Sequence, residues 1–214
     1  DELMRGGWTL KRMHRMIVMS TTYTQGSLRS QELDRIDPAN RLYARMSVRR
    51  LESEAIRDAV LFASGVMTDT MHGPPIPVKE DAVGQIVLGE QKLDGERKPI
   101  GEDVEFDGVS RRSIYVQVRR SRPLAVLEAF DIASLVPNCT QRNFSNVAPQ
   151  ALMMMNSQFA IYHAEKLADR VIQSDGDGSQ QLSMAWQHCF GKPIEPSVLV
   201  ELEQFVDHQA AVFV

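Results

Sequence analysis

An ionisable side chain set in the middle of an apolar stripe restricts the folds open to this chain more than any other feature. Residues 41–57 read R-L-Y-A-R-M-S-V-R-R-L-E-S-E-A-I-R, continuing through Asp58-Ala59-Val60-Leu61-Phe62 to Gly65. At about 100° per residue, Leu51, Ala55, Ile56, Ala59, Phe62 and Ala63 share one side of a helix, and Glu52 projects into the middle of it. A carboxylate there is costly unless a cation and further donors meet it. The expectation is an arginine–carboxylate network inside the fold, with Arg45, Arg112 or Arg142 as the partner of Glu52. Arg50, Glu54 and Asp58 lie four apart on one face, and Glu54 also reaches Arg57 at i,i+3 spacing. These read as exposed ion-pair ladders.

The cations needed for such a network are abundant and of the right kind. Of the 24 Lys and Arg, 18 are Arg. Arginine keeps its charge when desolvated and forks two hydrogen bonds onto a carboxylate, sulfate or phosphate. The net charge of −4 argues against a general nucleic-acid binder. Its distribution is uneven: residues 1–65 carry a net +3, 66–110 a net −6, 111–142 a net +4 and 143–214 a net −5. Two basic segments thus flank an acidic one.

Along the chain, Trp8–Thr21 reads as an amphipathic helix with Trp8, Leu10, Met13, Met16 and Ile17 inward. Asp37-Pro38 reads as a helix start, a capping Asp followed by Pro at the first position. Residues 66–110, rich in Gly, Pro and acid, read as an irregular excursion with a short hairpin. Arg112–Arg119 alternates Ile114, Val116 and Val118 against Ser113, Tyr115 and Gln117, a strand pattern. A short helix is expected over Leu124–Phe130. A long one is expected over Val147–Ile172, with Leu152, Met155, Phe159, Tyr162, Leu167 and Val171 inward, and two more over Gln180–Phe190 and Glu195–Phe213. The fold class is mainly α: one compact helical domain over 1–214 with a small β-strand or hairpin element, and 66–110 a peripheral acidic excursion.

Chemistry-bearing motifs are scarce. The five histidines show no metal spacing, and no nucleophile elbow, P-loop or dinucleotide fingerprint occurs. Cys139 and Cys189 form no C-x-x-C, leaving a single disulfide or two thiols open. Met153-Met154-Met155 reads as core filling, because neighbouring helical residues point in different directions. No apolar run reaches the length of a membrane span. The chain begins at Asp1 and stops within a helical pattern, which reads as a piece of a longer protein.

The segments W-T-L-K-R-M-H-R-M-I-V-M-S-T-T-Y (8–23), N-R-L-Y-A-R (40–45), R-R-L-E-S-E-A-I-R-D-A-V-L-F-A-S-G (49–65), R-R-S-I-Y-V-Q-V-R-R (111–120), L-E-A-F-D (127–131) and N-V-A-P-Q-A-L-M-M-M-N-S (146–157) resemble, in order, the motif series of domain of unknown function 1553. This is a C-terminal domain of large planctomycete proteins. The resemblance implies an exported, periplasmic or envelope-associated bacterial protein, often with a cytochrome-c-like haem module upstream. No cofactor is expected in this chain itself. No activity is established for the domain, so no catalytic residue carries over. Arg49, Arg50, Glu52, Glu54, Arg57 and Asp58 match its charged helix; Arg111, Arg112, Tyr115, Asp131, Arg142, Gln150 and Asn156 match its other polar positions.

The candidate polar or anion-binding cluster is therefore Arg45, Arg49, Glu52, Arg57, Arg112, Tyr115, Arg119 and Arg142, with no metal ligand assigned. An aromatic beside guanidinium groups suits an anionic polysaccharide or a partner's carboxylates. The leading expectation is an interaction or scaffolding domain whose partners are other domains of the same polypeptide, with no nucleic acid. The alternative is a hydrolytic or redox enzyme acting on complex, sulfated polysaccharide through the Arg/Glu cluster. A closed, fully paired cluster would favour the first, an open cleft the second.

Overall fold

The computed structural model describes residues 1–90, 94, 109–120, 122–133, 142 and 145–212. They are mainly helical, with one small antiparallel hairpin. The chain forms two compact units, residues 1–50 and 51–214.

The first unit holds α1 (Glu2–Arg5), α2 (Leu10–Val18) and α3 (Gln31–Ile36), followed by a non-helical stretch. Glu2 joins α1 to α2 by accepting from Arg12 at 3.0 Å and Arg5 at 3.3 Å. Ser30 caps α3 by accepting from the Leu33 amide. The helix expected to start at Asp37-Pro38 is absent. Asp37 instead ends α3, and its carboxylate accepts from the Leu42 amide at 2.7 Å, spending the capping group on a turn. Of the α2 residues expected inward, only Met13 is half-buried; Trp8, Leu10, Met16 and Ile17 are exposed.

The second unit begins with α4 (Ser53–Ala63), twelve residues later than the sequence suggests. The hairpin β1 (Val78–Glu80) and β2 (Ile86–Leu88) pairs Val78 with Leu88 and Glu80 with Ile86. Its turn is closed by Asp81, which accepts from the Val83 and Gln85 amides, with Gly84 at φ +87°. Helices α5 (Ala125–Ala129), α6 (Ala148–Asn156), α7 (Gln158–Ile172), α8 (Gly178–Phe190) and α9 (Pro196–Val212) complete the unit. The core gathers Ile76, Val78, Ile86, Val116, Leu124, Val126, Leu127 and Phe130, with Ile56, Met153 and Phe159 packed against it. Residues 76–88, read from the sequence as part of a peripheral excursion, thus supply three core side chains; residues 91–93 and 95–108 lie outside the described set.

Two further expectations are corrected. The alternating segment 112–119 is not a strand. Hydrogen bonds from the Tyr115 and Val116 amides to the Arg112 and Ser113 carbonyls wind Ser113–Tyr115 into a 3-10 turn, and only Val116 bridges Ile76. The long helix expected over 147–172 is two helices. Ser157 is extended (ψ 147°), and its hydroxyl caps α7 by accepting from the Ala160 amide at 3.1 Å. The break changes the helical phase, so Leu152, Met155 and Tyr162 are exposed while His163 and Val171 are buried.

Candidate functional site

Helix α4 follows amphipathic expectation only in part, with Ile56 packed against the core and Ala63 half-buried. Its buried line is Ser53, Arg57, Leu61 and, just past its end, Ser64, a spacing of four, four and three. Ala55, Ala59 and Phe62, expected inward, face about 200° away and are exposed. Glu52 is not in the stripe. It is the residue preceding the helix, extended at ψ 152°, and its side chain is 56% exposed. Because α4 starts at Ser53, the phase projected from residues 41–52 does not apply. The ion taken into the interior is a guanidinium, not a carboxylate.

Arg57, 1% exposed, donates through Nη1 to the Arg111 carbonyl at 3.0 Å and to Ser113 Oγ at 3.2 Å, and through Nη2 to the Val109 carbonyl at 2.6 Å. Its Nε has no hydrogen-bond partner among the described residues. Asp58 stands 3.9 Å from it, a long pairing. Burial pushes the Arg57 pKa down to about 10, opposed by the charge of Asp58, so the group stays cationic at neutral pH. Asp58 also accepts from the Ser113 amide at 2.7 Å and from Arg112 Nε at 3.4 Å. Adjacent residues of α4 thus clamp one peptide segment from both sides: Arg57 takes its carbonyls and Asp58 its amide.

The neighbouring cation, Arg111, is equally committed. Its guanidinium donates to the carbonyls of Thr70 (3.4 Å), Pro74 (2.8 Å) and His72, and lies 4.0 Å from the centre of the Tyr115 ring. The Tyr115 hydroxyl accepts from the His72 amide. The cation over Tyr115 is therefore Arg111, which only its motif position singled out, rather than Arg112 or Arg119. Arg112 and Arg119 are exposed.

Arg142 forks onto Glu54, donating at 2.6 and 3.1 Å, and lies 3.6 Å from Glu52. Burial raises the Glu54 pKa, but the hydrogen bonds from Arg142, its own backbone and Ser53 outweigh this and hold it below the usual carboxylate range. Of the three arginines expected as candidates for Glu52, Arg142 is the one near it, but its hydrogen bonds go to Glu54. Arg45 and Arg49 belong to the first unit. Arg45 donates to the Pro38 carbonyl at 3.3 Å and lies 3.5 Å from Asp34, while Arg49 is exposed.

Sequence reasoning missed a third buried polar contact. Ser64 Oγ and His163 Nδ1 are 2.9 Å apart, joining α4 to α7, with Phe159 and Tyr162 edge-on to the imidazole. Ser64 Oγ also lies 2.8 Å from the Val60 carbonyl and 3.1 Å from the Leu61 carbonyl, and the tautomer of His163 sets which partner donates between hydroxyl and ring. Both residues are buried. Burial, then the charge of Arg57, lowers the His163 pKa. At the end of the same helix, Arg170 donates to the Phe62 and Ala63 carbonyls. Asp131, at φ +62°, accepts from the Ser145 amide and hydroxyl, and Gln150 donates to that hydroxyl.

Among the described residues no group of three or more His, Cys, Asp or Glu is placed to hold a metal, and no helix is long and apolar enough to cross a membrane. Cys189 is a free thiol, raised in pKa by burial; Cys139 lies outside the described residues. The family model described as PSD1, a protein of unknown function (DUF1553), matches residues 1–206, and the chain belongs to that family. None of the curated proteins and none of the solved structures matches it.

Proposed function

We propose that this DUF1553 domain is a noncatalytic interaction module that binds other parts of its own polypeptide, in an exported protein that also carries a haem-bearing module. The observation that carries this reading is the inversion of α4. The helix turns Arg57 inward and leaves Phe62 59% exposed, with Ala55 and Ala59 beside it on the outward face. Apolar surface left outward on a helix is the ordinary basis of docking. The charged cluster supports the same reading, since Arg57, Arg111, Asp58 and Glu54 are each committed to neighbouring groups. A hydrolytic or redox site would need an acid or base facing a cleft; here Arg57 and Arg111 are buried, while Glu52 and Arg112 are more than half exposed.

The test is calorimetric titration of this chain with the remainder of its polypeptide, produced separately. Saturable binding, weakened at least tenfold by Phe62→Ser in a variant that still unfolds cooperatively, supports the module. Absence of binding, or turnover of a glycan that is lost in Arg112→Ala while the melting temperature is unchanged, overturns it.

A further inference from the structure

The first unit contains a depression of about 410 Å³ built entirely from residues 17–49. That volume lies within the span of small-molecule sites, about 300–1,000 Å³. Its lining combines Tyr23 and Tyr43 with Ile17 and Met46, and its polar residues include Thr22, Ser47 and Arg49. The two rings are 51% and 67% exposed. Isolated exposed tyrosines offer flat C–H-accepting faces with a polar rim, the surface on which a pyranose ring stacks.

The charges are unequal. Arg45 is held by Asp34 and the Pro38 carbonyl, and Asp34 is itself gripped by Arg29 at 3.0 and 3.2 Å. Arg49 pairs with no carboxylate among the described residues. One uncommitted guanidinium beside two ring faces matches a ligand with one anionic group on a largely hydroxylated ring. It does not match a polyphosphate, which calls for several cations or a backbone amide cradle.

The backbone supports a ligand-presenting turn. Tyr43 adopts φ +54°, a left-handed conformation that costs a side-chain-bearing residue about 1–2 kcal/mol. The strain is imposed by a well-bonded frame. Asn40, buried, donates to the Arg45 carbonyl at 2.7 Å and accepts from its amide at 3.3 Å, while the Tyr43 amide donates to the Asn40 carbonyl at 3.3 Å. Asn tolerates its own φ of +52°, whereas an aromatic residue gains nothing from such a backbone unless its ring is used.

We infer that this depression binds one acidic sugar unit, its ring stacked on Tyr23 and Tyr43 and its carboxylate or sulfate paired with Arg49. This goes beyond the docking module and uses different residues, so either can fail alone. The test titrates the full chain with three oligosaccharides of equal length: one sulfated, one uronic and one neutral. Inorganic sulfate is the control. The expected result is saturable binding of an acidic oligosaccharide at least tenfold tighter than the neutral one, and the sulfated and uronic arms identify which anion is read. Arg49→Gln should weaken binding about tenfold and erase the preference for acid. Tyr43→Gly, which relieves the backbone strain and therefore folds, should abolish binding without lowering the melting temperature. No binding, equal binding of all three sugars, sulfate binding as tight as the oligosaccharide, or binding unchanged in both variants each overturns the site.

Discussion

Replacing Arg57 by alanine should cost far more stability than a surface arginine ever contributes. Burial lowers its pKa to about 10, which corresponds to a charging penalty of about 3 kcal/mol. Against this stand three hydrogen bonds from a charged donor, each worth about 1.5–3 kcal/mol. Arg57→Ala removes the penalty and the bonds together, orphans the Val109 and Arg111 carbonyls and leaves a void. The bonds less the penalty, with the cost of the void added, leave a net loss of about 3–5 kcal/mol. Arg57→Met fills the space without a charge and should cost less, about 1–3 kcal/mol, because the removed charging penalty partly offsets the two unsatisfied carbonyls. Urea unfolding of the full chain, followed by far-ultraviolet circular dichroism, reads both. At about 2–4 °C per kcal/mol, the alanine variant should melt roughly 6–20 °C lower. The interaction is sheltered, so the loss should hardly change between 0.1 and 0.5 M salt. An alanine variant within about 0.5 kcal/mol of the parent, or one no worse than methionine, would refute the clamp.

Three smaller expectations share the same assay. Gly65 sits at φ +76°, and an added Cβ would meet Arg170 Cδ at 3.1 Å, so Gly65→Ala should lose about 1–2 kcal/mol, checked by its denaturation midpoint. Asp131→Ala should lose about 2–3 kcal/mol with the bonds to Ser145, and Asp131→Asn less, because the amide keeps one acceptor. His163 has a lowered folded pKa, so the unfolded chain takes up its proton first; its contribution is intact above about pH 6.5 and falls away as the pH drops. His163→Asn should flatten the stability profile between pH 5.5 and 7, and an unaltered slope would count against the buried neutral imidazole.

The helices with explicit end signals were legible in the sequence. Gly191, at φ +66°, stops α8, Asp177 caps it, and Pro196 opens α9, each a local instruction that tertiary packing did not overrule. Residues 41–52 and 112–119 were misread for one shared reason. Their apolar periodicity was genuine, but side-chain partners settled the backbone: Asn40 takes the Arg45 carbonyl and Asp58 takes the Ser113 amide, and no single-segment pattern reports such demand. The chain did point to an arginine–carboxylate junction, with Arg142 as one of three candidate cations for Glu52. It could not reveal which ion goes inside. That depends on the start of α4, where a shift in phase exchanges Glu52 for Arg57. Ser64 and His163, 99 residues apart, carried no local signal at all.

The most direct test of the account is nitrogen-15 NMR of the arginine side chains, with the Arg57 resonance assigned by its loss in Arg57→Lys. A guanidinium 1% exposed and bonded to two backbone carbonyls should give a resolved signal that exchanges with solvent at least a hundredfold more slowly than that of exposed Arg119. Exchange as fast as Arg119, together with a protected Glu52 carboxyl, would place the carboxylate inside and the arginine out, and the account would be wrong.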